Sequence, residues 1–241
     1  MMMKKVFVIV PAFNEERFLS ATLESVRRQT FKNLEIIVKD GLSKDKTVAV
    51  AERYADKVIS KRDVSAGDAR NQGAANAEGD ILVFLDADTL LAPDTIERIV
   101  LDFERPNVTL VFPRYLPKKE VLEIEGRKVQ MPRRIDIFWF YLENLARRYV
   151  DKYAGGMCMA CDAKTFREIG GFSKTLKVCE DIEISYRLRK RGYAVCDHSI
   201  VAYPSARRYV KMGFIKTLFT YFFYSIQWHL GMEQPQPKMI R

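Results

Sequence analysis

Short apolar runs alternate with amphipathic stretches along the first half of the chain. Continuous runs of β-branched and large apolar residues are typical of buried strands, and they predict strands at 5–10, 34–38, 57–60, 80–85 and 108–112. Apolar residues at helical spacing predict helices between them, at about 14–29, 47–54, 67–77 and 93–103. Strand–helix repeats in series are typical of a parallel sheet with right-handed crossovers, so we expect an α/β fold. No Gly/Ser/Pro-rich linker interrupts the alternation, which favours a single domain.

The second half of the chain is less regular. A charged stretch at 117–132 predicts a loop or hairpin, and an aromatic stretch at 135–150 predicts a helix. Gly155 and Gly156 predict a tight turn that leads into a buried segment. Two shorter helices and a final extended segment are predicted at 163–169, 181–191 and 194–202.

The stretch at 211–230 is strongly apolar. Lys216, Gln227 and His229 interrupt it, so it matches poorly the roughly 20 apolar residues that a membrane-spanning helix needs. Helical spacing instead places its large apolar residues on one face and its polar residues on the other. Such an amphipathic helix could pack on its own domain, lie on a membrane surface or form a homodimer contact, and the pattern leaves all three open.

The chain carries a formal net charge of +9 over 241 residues. A basic excess suggests an anionic partner, such as nucleic acid, a membrane surface or a phosphorylated substrate. The basic residues form small scattered clusters and accompany no nucleic-acid-binding motif, so we expect no nucleic-acid partner.

Four cysteines bear on the cellular compartment. Cys158 and Cys161 have the spacing of half a zinc site, but the other two are isolated and the chain has only two histidines. We therefore expect free, mostly buried thiols, which are typical of a reducing compartment. The first apolar run is too short for a signal peptide and runs into Pro11. These features favour a cytoplasmic protein, with peripheral contact to the cytoplasmic membrane face left open.

Two acids follow the apolar run at 80–85 directly, Asp86 and Asp88. In isolation, an Asp-x-Asp is more often a solvated turn that caps the next helix. At the carboxyl end of a strand in an open α/β sheet, however, it lies where such folds bind ligands. Two hard oxygen ligands there suit Mg²⁺ or Mn²⁺, ions that keep part of their coordination shell for phosphate oxygens. Asn14, Asp40 and Asp45 follow other predicted strands at the same edge, which makes a site more plausible than a chance pair.

Four stretches in order resemble family 2 glycosyltransferases. Residues 8–16 (Val-Ile-Val-Pro-Ala-Phe-Asn-Glu-Glu) resemble the opening strand and loop of that family, and 40–47 (Asp-Gly-Leu-Ser-Lys-Asp-Lys-Thr) its nucleoside-binding loop. Ala69-Arg70-Asn71, Gly79-Asp80 and 84–88 are similar to its central segment, which ends in the Asp-x-Asp. Further stretches resemble its acceptor half, namely Gly155-Gly156, Gly170-Gly171-Phe172 and Glu180-Asp181. The resemblance covers roughly residues 5–205.

This resemblance implies a GT-A fold, with a Rossmann-like nucleotide-sugar-binding half at 1–112 and an acceptor half at 113–205 around one mostly parallel sheet. Residues 206–241 then form a basic, aromatic, amphipathic C-terminal segment. The implied reaction is inverting transfer of one sugar from a nucleotide-diphosphate sugar to an acceptor hydroxyl or phosphate. The implied acceptor is a glycan or a polyprenyl-linked molecule.

Residue roles follow from the same resemblance. Asp88, with Asp86 close by, would hold Mn²⁺ or Mg²⁺ and neutralise the leaving diphosphate. Asp181 would be the general base that takes the proton of the acceptor, with Glu180 as the second choice. The remaining implied substrate contacts are Pro11, Phe13 and Glu15 around the nucleobase, Asp40 on the nucleoside, Arg70 on the nucleotide or its phosphates, and Gly156 in the acceptor half.

Three departures from the family pattern and two alternatives remain. Some relatives place a histidine after the acceptor half, where this chain has Tyr203-Pro204-Ser205-Ala206-Arg207-Arg208, and Arg207 and Arg208 could bind a diphosphate of the donor or of a polyprenyl acceptor. Gly41 and Leu42 stand where many relatives carry an acid and a glycine, and no Gln-x-x-Arg-Trp motif is present, which favours transfer of a single sugar. A sugar nucleotidyltransferase normally has a Gly-rich, basic phosphate-binding loop after the first strand, whereas this loop is acidic and contains no glycine. An inactive nucleotide-sugar-binding homologue is disfavoured because the acidic residues of both candidate pairs are retained.

Overall fold

The computed structural model describes most of the chain. It covers residues 4–124, 127–132, 137–138, 140–142, 144–145, 153–176 and 178–207, together with 212, 216, 219–220 and 223. The predicted helix at 211–230 therefore lies largely outside the described residues.

Ten strands lie within the described residues. In chain order they are β1 (Val6–Ala12), β2 (Leu34–Asp40), β3 (Lys57–Ser60), β4 (Ile81–Leu85), β5 (Thr89–Leu91), β6 (Val108–Tyr115), β7 (Glu120–Ile124), β8 (Arg127–Met131), β9 (Cys158–Asp162) and β10 (Tyr193–Pro204). Strands β7 and β8 pair only with each other, which confirms a hairpin in the charged stretch at 117–132.

Six helices connect and cover the strands. They are α1 (Leu19–Arg27), α2 (Thr47–Tyr54), α3 (Ala66–Ala74), α4 (Thr95–Asp102), α5 (Ala163–Glu168) and α6 (Glu180–Arg189). The described residues of the aromatic stretch, within 137–145, are also helical. In that described part of the chain, no helix is both long enough and apolar enough to cross a membrane.

The main sheet has eight strands in the order β3-β2-β1-β4-β9-β6-β10-β5. Strands β1 to β4 are parallel to one another, as the sequence predicts. The sheet becomes mixed where β9 inserts antiparallel between β4 and β6, and where the short β5 pairs antiparallel with β10. Since β1 lies between β2 and β4, the carboxyl ends of these three strands form the crevice in which open α/β sheets bind ligands.

Two apolar layers cover the two faces of the sheet. Alternate residues of β1 enter opposite layers: Val6, Val8 and Val10 pack with α1 and α4, whereas Phe7 and Ile9 pack with α3, α5 and α6. Burial of each such side chain contributes about 1.5–3 kcal/mol. The same alternation separates Cys158 from Cys161, which belong to opposite layers. The two thiols therefore cannot form half of one zinc site, and all four cysteines are free, as expected.

The first helix begins later than its sequence pattern predicts. The prediction that Asn14 starts it is wrong, because α1 begins at Leu19. Asn14 instead adopts a left-handed conformation with φ of 54°. Its side-chain oxygen accepts the N–H of Lys44, so this polar loop is used to contact the next loop rather than to extend the helix.

Candidate functional site

The loops after β1 and β2 form one continuous shelf at the carboxyl edge of the sheet. Asn14 N–H donates to Ser43 Oγ at 2.8 Å, and Lys44 N–H donates to Asn14 Oδ1 at 2.9 Å. Further along, Glu16 N–H donates to Asp45 Oδ2 at 3.2 Å. Side chains of each loop thus satisfy the backbone of the other, which fixes the relative position of two segments about thirty residues apart in sequence.

Asp40, predicted to contact the nucleoside, is fully buried at the end of β2. Its carboxylate accepts hydrogen bonds from Leu42 N–H at 3.0 Å, Ser43 N–H at 3.1 Å and Ser60 Oγ at 2.7 Å. These bonds hold Leu42 at a φ of 67°, in the left-handed region that favours glycine. The described contacts of Asp40 therefore shape the loop, and its contact with a nucleoside stays a prediction.

A buried lysine and a partly exposed aspartate were missed by sequence reasoning. The Lys39 side chain is fully buried in β2, and its ammonium group donates to Lys61 O at 2.6 Å and to the Asp63 carboxylate. Asp63 lies beside Phe13: a Cβ added at Gly41 would lie 3.0 Å from Asp63 Oδ2 and 3.1 Å from the Phe13 ring. A buried cation needs a partner, so a lysine inside an apolar strand was the available signal.

Arg70 is the centre of the deeper part of the site. Its side chain is only 4% exposed on α3. It donates from Nη1 to Glu180 Oε1 at 2.8 Å, and from Nη2 to Asp86 Oδ1 at 2.9 Å and to Gly156 O at 3.2 Å. Its guanidinium carbon also lies 5.5 Å from the centre of the Phe172 ring. One side chain thus joins α3, the loop after β4, the glycine turn and the start of α6.

The charges around Arg70 are strongly coupled. Burial by itself lowers the pKa of Arg70, but Asp86, Glu180 and Asp181 together raise it above its already high usual value. Burial likewise raises the pKa of the Glu180 carboxyl, and the Arg70 guanidinium acts in the opposite direction. Arg70 therefore stays charged at any physiological pH, and it is the group that makes these buried acids tolerable.

Asp181 is held by backbone groups in the first turn of α6. Its Oδ2 accepts Gly156 N–H at 2.7 Å, and its Oδ1 accepts Ile182 N–H at 2.9 Å. Gly156 also explains the close packing, since an added Cβ would lie 2.8 Å from Arg70 Nη2 and 3.5 Å from Asp181 Oδ2. The structure therefore brings together five predicted site residues, namely Arg70, Asp86, Gly156, Glu180 and Asp181.

Asn71 is a third residue that sequence reasoning passed over as a site element. Its side-chain amide donates to Phe172 O at 2.9 Å, and its side-chain oxygen accepts Phe172 N–H at 2.9 Å. These two bonds resemble those between paired β-strands. They fix the backbone of Phe172 and thereby hold its ring next to Arg70. Its position next to Arg70 in the resembling stretch was the signal for it.

A second arginine approaches the site from the other end of the chain. Arg207 Nε lies 2.8 Å from Asp88 Oδ2, and its two terminal nitrogens donate to the Glu15 carboxylate at 2.8 and 2.5 Å. Its guanidinium carbon lies 4.8 Å from the centre of the Phe18 ring. Glu15, predicted at the nucleobase, thus has its described side-chain contacts with Arg207 instead. Arg208 lies outside the described residues.

Pro11 and Phe13, the other predicted nucleobase contacts, lie at the end of β1 and directly after it. Both are half-buried at the shelf. Phe13 faces the loop at Gly41, which agrees with a position in the crevice. Contact of either residue with a nucleobase stays a prediction.

Asp86 and Asp88 offer carboxylate oxygens to a divalent ion. Asp86 keeps a third of its side chain exposed while Arg70 holds one of its oxygens. Among the described residues, no group of three or more His, Cys, Asp or Glu side chains is arranged to hold an ion. Two carboxylates fit Mg²⁺ or Mn²⁺ in their usual protein setting, in which phosphate and water oxygens complete the shell. The donor set therefore fits an ion that is shared with a diphosphate ligand.

Comparison with known proteins finds relatives over most of the chain. The model of the family described as glycosyl transferase family 2 matches residues 7–170. An uncharacterized glycosyltransferase of Haemophilus influenzae is 31% identical over 189 residues, which are 75% of this chain and 60% of that protein. The O-antigen chain rhamnosyltransferase RfbN of Salmonella typhimurium is 27% identical over 212 residues, 82% of this chain and 65% of its own. The chain thus spans under two thirds of the length of these relatives.

Solved structures share the fold. A mannosyltransferase of Pyrobaculum calidifontis in complex with GDP-Man and Mn²⁺ superposes with a TM-score of 0.64 at 21% identity, over 84% of this chain and 57% of that one. The S. aureus TarS fragment 1–349 in complex with UDP-GlcNAc gives a TM-score of 0.62 at 20% identity, over 83% and 58%. These likenesses confirm the GT-A fold. Since the family model covers well over half of the sequence, the chain belongs to glycosyl transferase family 2.

Proposed function

We propose that this protein transfers one sugar, with inversion, from a nucleotide-diphosphate sugar to an acceptor hydroxyl or phosphate. One observation carries the proposal: Arg70 bonds Asp86 and the Gly156 carbonyl, while the Gly156 N–H bonds Asp181. Asp86 at the donor edge and the candidate base are thereby parts of a single hydrogen-bonded network. Sugar transfer needs one acidic centre that holds a cation against the leaving diphosphate and another that takes the proton of the acceptor hydroxyl.

The donor side is the shelf beside Asp86 and Asp88. Phe13 supplies an apolar surface for a nucleobase, and Asp63 places a carboxylate next to it that can accept base N–H groups. Asp88, with Asp86, would hold Mn²⁺ or Mg²⁺, which supplies charge neutralisation to the departing diphosphate. The related structures in complex with GDP-Man and with UDP-GlcNAc support a nucleotide-sugar donor here.

The acceptor side is the turn at Gly156 and the start of α6. Asp181 is the better base, because backbone N–H groups orient its carboxylate and no salt bridge to it is formed within the described part of the chain. Glu180 is ion-paired to Arg70 and acts as a positioning residue. As the acceptor oxygen attacks the anomeric carbon, the bond from that carbon to the diphosphate oxygen breaks and the acceptor proton moves to Asp181. Attack opposite the leaving group inverts the anomeric centre. The acceptor would be a glycan or a polyprenyl-linked molecule.

A ligand panel tests the donor assignment. Purified protein is heated with UDP-, GDP- and dTDP-sugars, with and without Mn²⁺. We expect at least one donor to raise the melting temperature in the presence of Mn²⁺, because a ligand at about 100 times its Kd stabilises a fold by about 2.7 kcal/mol. Absence of any shift and of any slow donor hydrolysis across the panel would overturn the proposal. Pyrophosphate release from a nucleoside triphosphate plus a sugar phosphate would replace it with nucleotidyl transfer.

Replacement of the base tests the chemistry. Asp181→Asn keeps the size of the side chain and should lower turnover by about 10²–10⁴-fold with donor binding unchanged. Glu183→Gln is a matched control, since Glu183 lies on the same helix but pairs with Arg187. If turnover survives in Asp181→Asn, this residue is not the base. If the wild-type protein binds a donor but never transfers the sugar, the protein is a binding homologue.

A further inference from the structure

The helical residues within 137–145, here called the aromatic segment, turn an apolar face outward. Its inward side carries Phe140, which is buried, and the half-buried Asn144. Five large apolar side chains of the same segment are 37–64% exposed, namely Ile137, Phe138, Tyr141, Leu142 and Leu145. On a helix these five positions cover one continuous arc. Clustered exposure of this kind marks an interaction surface, whereas single exposed apolar residues do not.

The orientation of the aromatic segment is fixed by polar contacts. Asn144 donates to Tyr115 O at 2.7 Å and to Phe140 O at 2.6 Å, and it accepts Tyr115 N–H at 2.8 Å. The Asn144 side chain thus continues the hydrogen bonding of β6 at its last residue. To turn the apolar face inward, the segment would have to break these bonds and expose Phe140. The contacts of Asn144 and Phe140 therefore hold the apolar face in its outward orientation.

The aromatic segment is also connected to the acceptor side of the site. The hydroxyl of buried Tyr115 donates to Cys158 O at 2.6 Å and accepts Gly155 N–H at 3.2 Å. Gly155 immediately precedes Gly156, which donates to Asp181. The aromatic segment is thus linked through Tyr115 to the glycine turn that positions the candidate base.

Charge decides which partner fits. In the sequence, Arg133-Arg134 precede the aromatic segment by a few residues and Arg147-Arg148 follow it directly, in a chain of net charge +9. Aromatic and aliphatic residues flanked by arginines are the composition of elements that lie in the interface of anionic bilayers. A second copy fits less well, because two copies of a chain with a net charge of +9 repel each other. We propose that the aromatic segment docks the protein on the surface of an anionic lipid bilayer.

This proposal goes beyond sugar transfer, and binding to vesicles tests it without any donor or acceptor. We expect the full-length protein to sediment with phosphatidylcholine vesicles that contain phosphatidylglycerol, and not with phosphatidylcholine alone. High salt should weaken the binding, because it screens the arginines. Failure of the wild-type protein to bind the anionic vesicles would overturn the proposal and would leave the proposed reaction untouched.

Variants locate the contact. Phe138→Ser combined with Tyr141→Ser should lower vesicle binding by about tenfold or more, because it removes the two most exposed aromatic rings of the face. Leu101→Ser is the matched control, since Leu101 is 56% exposed on α4, outside the aromatic segment, and its loss should leave binding unchanged. Unchanged melting temperatures verify folding.

A second aromatic pair offers the competing explanation. Phe219 and Phe223 are also exposed, four residues apart. Phe219→Ser combined with Phe223→Ser should retain vesicle binding that the aromatic-segment variant loses. The reverse result would assign the contact to the C-terminal segment and overturn the proposal. So would light scattering that detects a dimer which the aromatic-segment variant abolishes, in a protein that ignores vesicles.

Discussion

The two aspartates of the Asp-x-Asp motif each face an arginine, but the two arginines lie at different depths. Arg70 reaches Asp86 from α3 with 4% of its side chain exposed, and Arg207 reaches Asp88 from beyond β10 with 21% exposed. Each arginine also binds a second acid, Glu180 or Glu15 respectively. Similar ion pairs can therefore have different uses: the deeper one belongs to the permanent framework, and the outer one can be exchanged.

Depth determines the energy of each pair. Removing one partner of a buried ion pair leaves an uncompensated charge away from water, which costs about 3–5 kcal/mol. A pair that is more accessible to water is screened more strongly, so removal of one partner costs less there. The acids of the outer pair are themselves only 14–15% exposed, so the difference between the two pairs rests on the exposure of the arginines. A ligand can therefore replace the acids bound to Arg207 more readily than the acids bound to Arg70. The Arg70 pair and the Arg207 pair can therefore be tested separately.

Arg70→Ala should produce the largest loss of stability. Because Glu180 and the buried side of Asp86 would lose their cation, we expect the free energy of unfolding to fall by about 3 kcal/mol or more. Urea denaturation followed by circular dichroism measures it. Arg207→Ala is the comparison variant and should lose less, because the Arg207 side chain is 21% exposed whereas that of Arg70 is 4% exposed. Equal losses in the two variants would contradict the distinction between framework and exchangeable pairs.

Gly156→Ala disturbs the framework pair without removing charge. The new Cβ would lie 2.8 Å from Arg70 Nη2, so either the guanidinium or the glycine turn must move. Overpacking of this kind costs about 1–3 kcal/mol. In an Arg70→Ala background the obstacle is absent, and the same substitution should cost less. A double-mutant cycle by urea denaturation measures the coupling, and an additive result would show that Arg70 and Gly156 do not constrain each other.

The pattern of apolar and polar residues predicted the elements that depend only on residues close together in sequence. The strands β1, β2 and β4, the acids after β4 and the helix that starts near Asp181 all follow from apolar runs and their polar endings. Arg70, Gly156 and Asp181 were assigned through resemblance to a family, and the fold then placed them in one network. Their chemical roles remain predictions.

Pairings between distant residues could not be predicted in the same way. The Lys39–Asp63 pair depends on how β2 and the chain after β3 pack, and the Arg207–Glu15 pair joins residues 192 positions apart. Likewise, Asn14 is an acceptable helix cap by composition, but its contact with Lys44 in the folded chain takes precedence. The antiparallel insertion of β9 has the same origin, since an apolar run carries no information on its direction within a sheet.

Asp102 is an acid whose neighbouring arginine does not offset the energetic cost of burying the carboxylate. Arg105 lies 3.1 Å away but is 64% exposed, whereas Asp102 is nearly buried. Burial, together with the nearby Asp197, raises the pKa of Asp102 to about 6. The folded protein then binds a proton that the unfolded chain has released. This contribution to stability is complete below about pH 4 and is lost as the pH rises through about 6.

Asp102→Asn should remove that part of the pH dependence. Over the interval from about pH 4 to pH 7 we expect the Asp102 contribution in the wild-type protein to decline by about 1–3 kcal/mol, and the variant to lack this decline. Urea denaturation at several pH values measures both. Asp94→Asn is a control on the same helix, because Asp94 is more exposed and pairs directly with Arg98. An unchanged pH profile in Asp102→Asn would mean that Arg105 does compensate the burial.

Arg207→Ala gives the smallest expected change and tests the outer pair. A cation at 2.8 Å from Asp88 Oδ2 competes with a divalent ion for the same oxygen. Removal of Arg207 should therefore tighten binding of Mn²⁺ to the nucleotide-free protein by about three- to tenfold, which corresponds to a screened ion pair of about 1 kcal/mol. Electron paramagnetic resonance of free Mn²⁺ measures this without any turnover. Arg98→Ala, which breaks an exposed pair on α4, should leave Mn²⁺ affinity unchanged. If Arg207→Ala also leaves it unchanged, the ion and Arg207 do not compete for Asp88, and exchange at the outer pair is wrong.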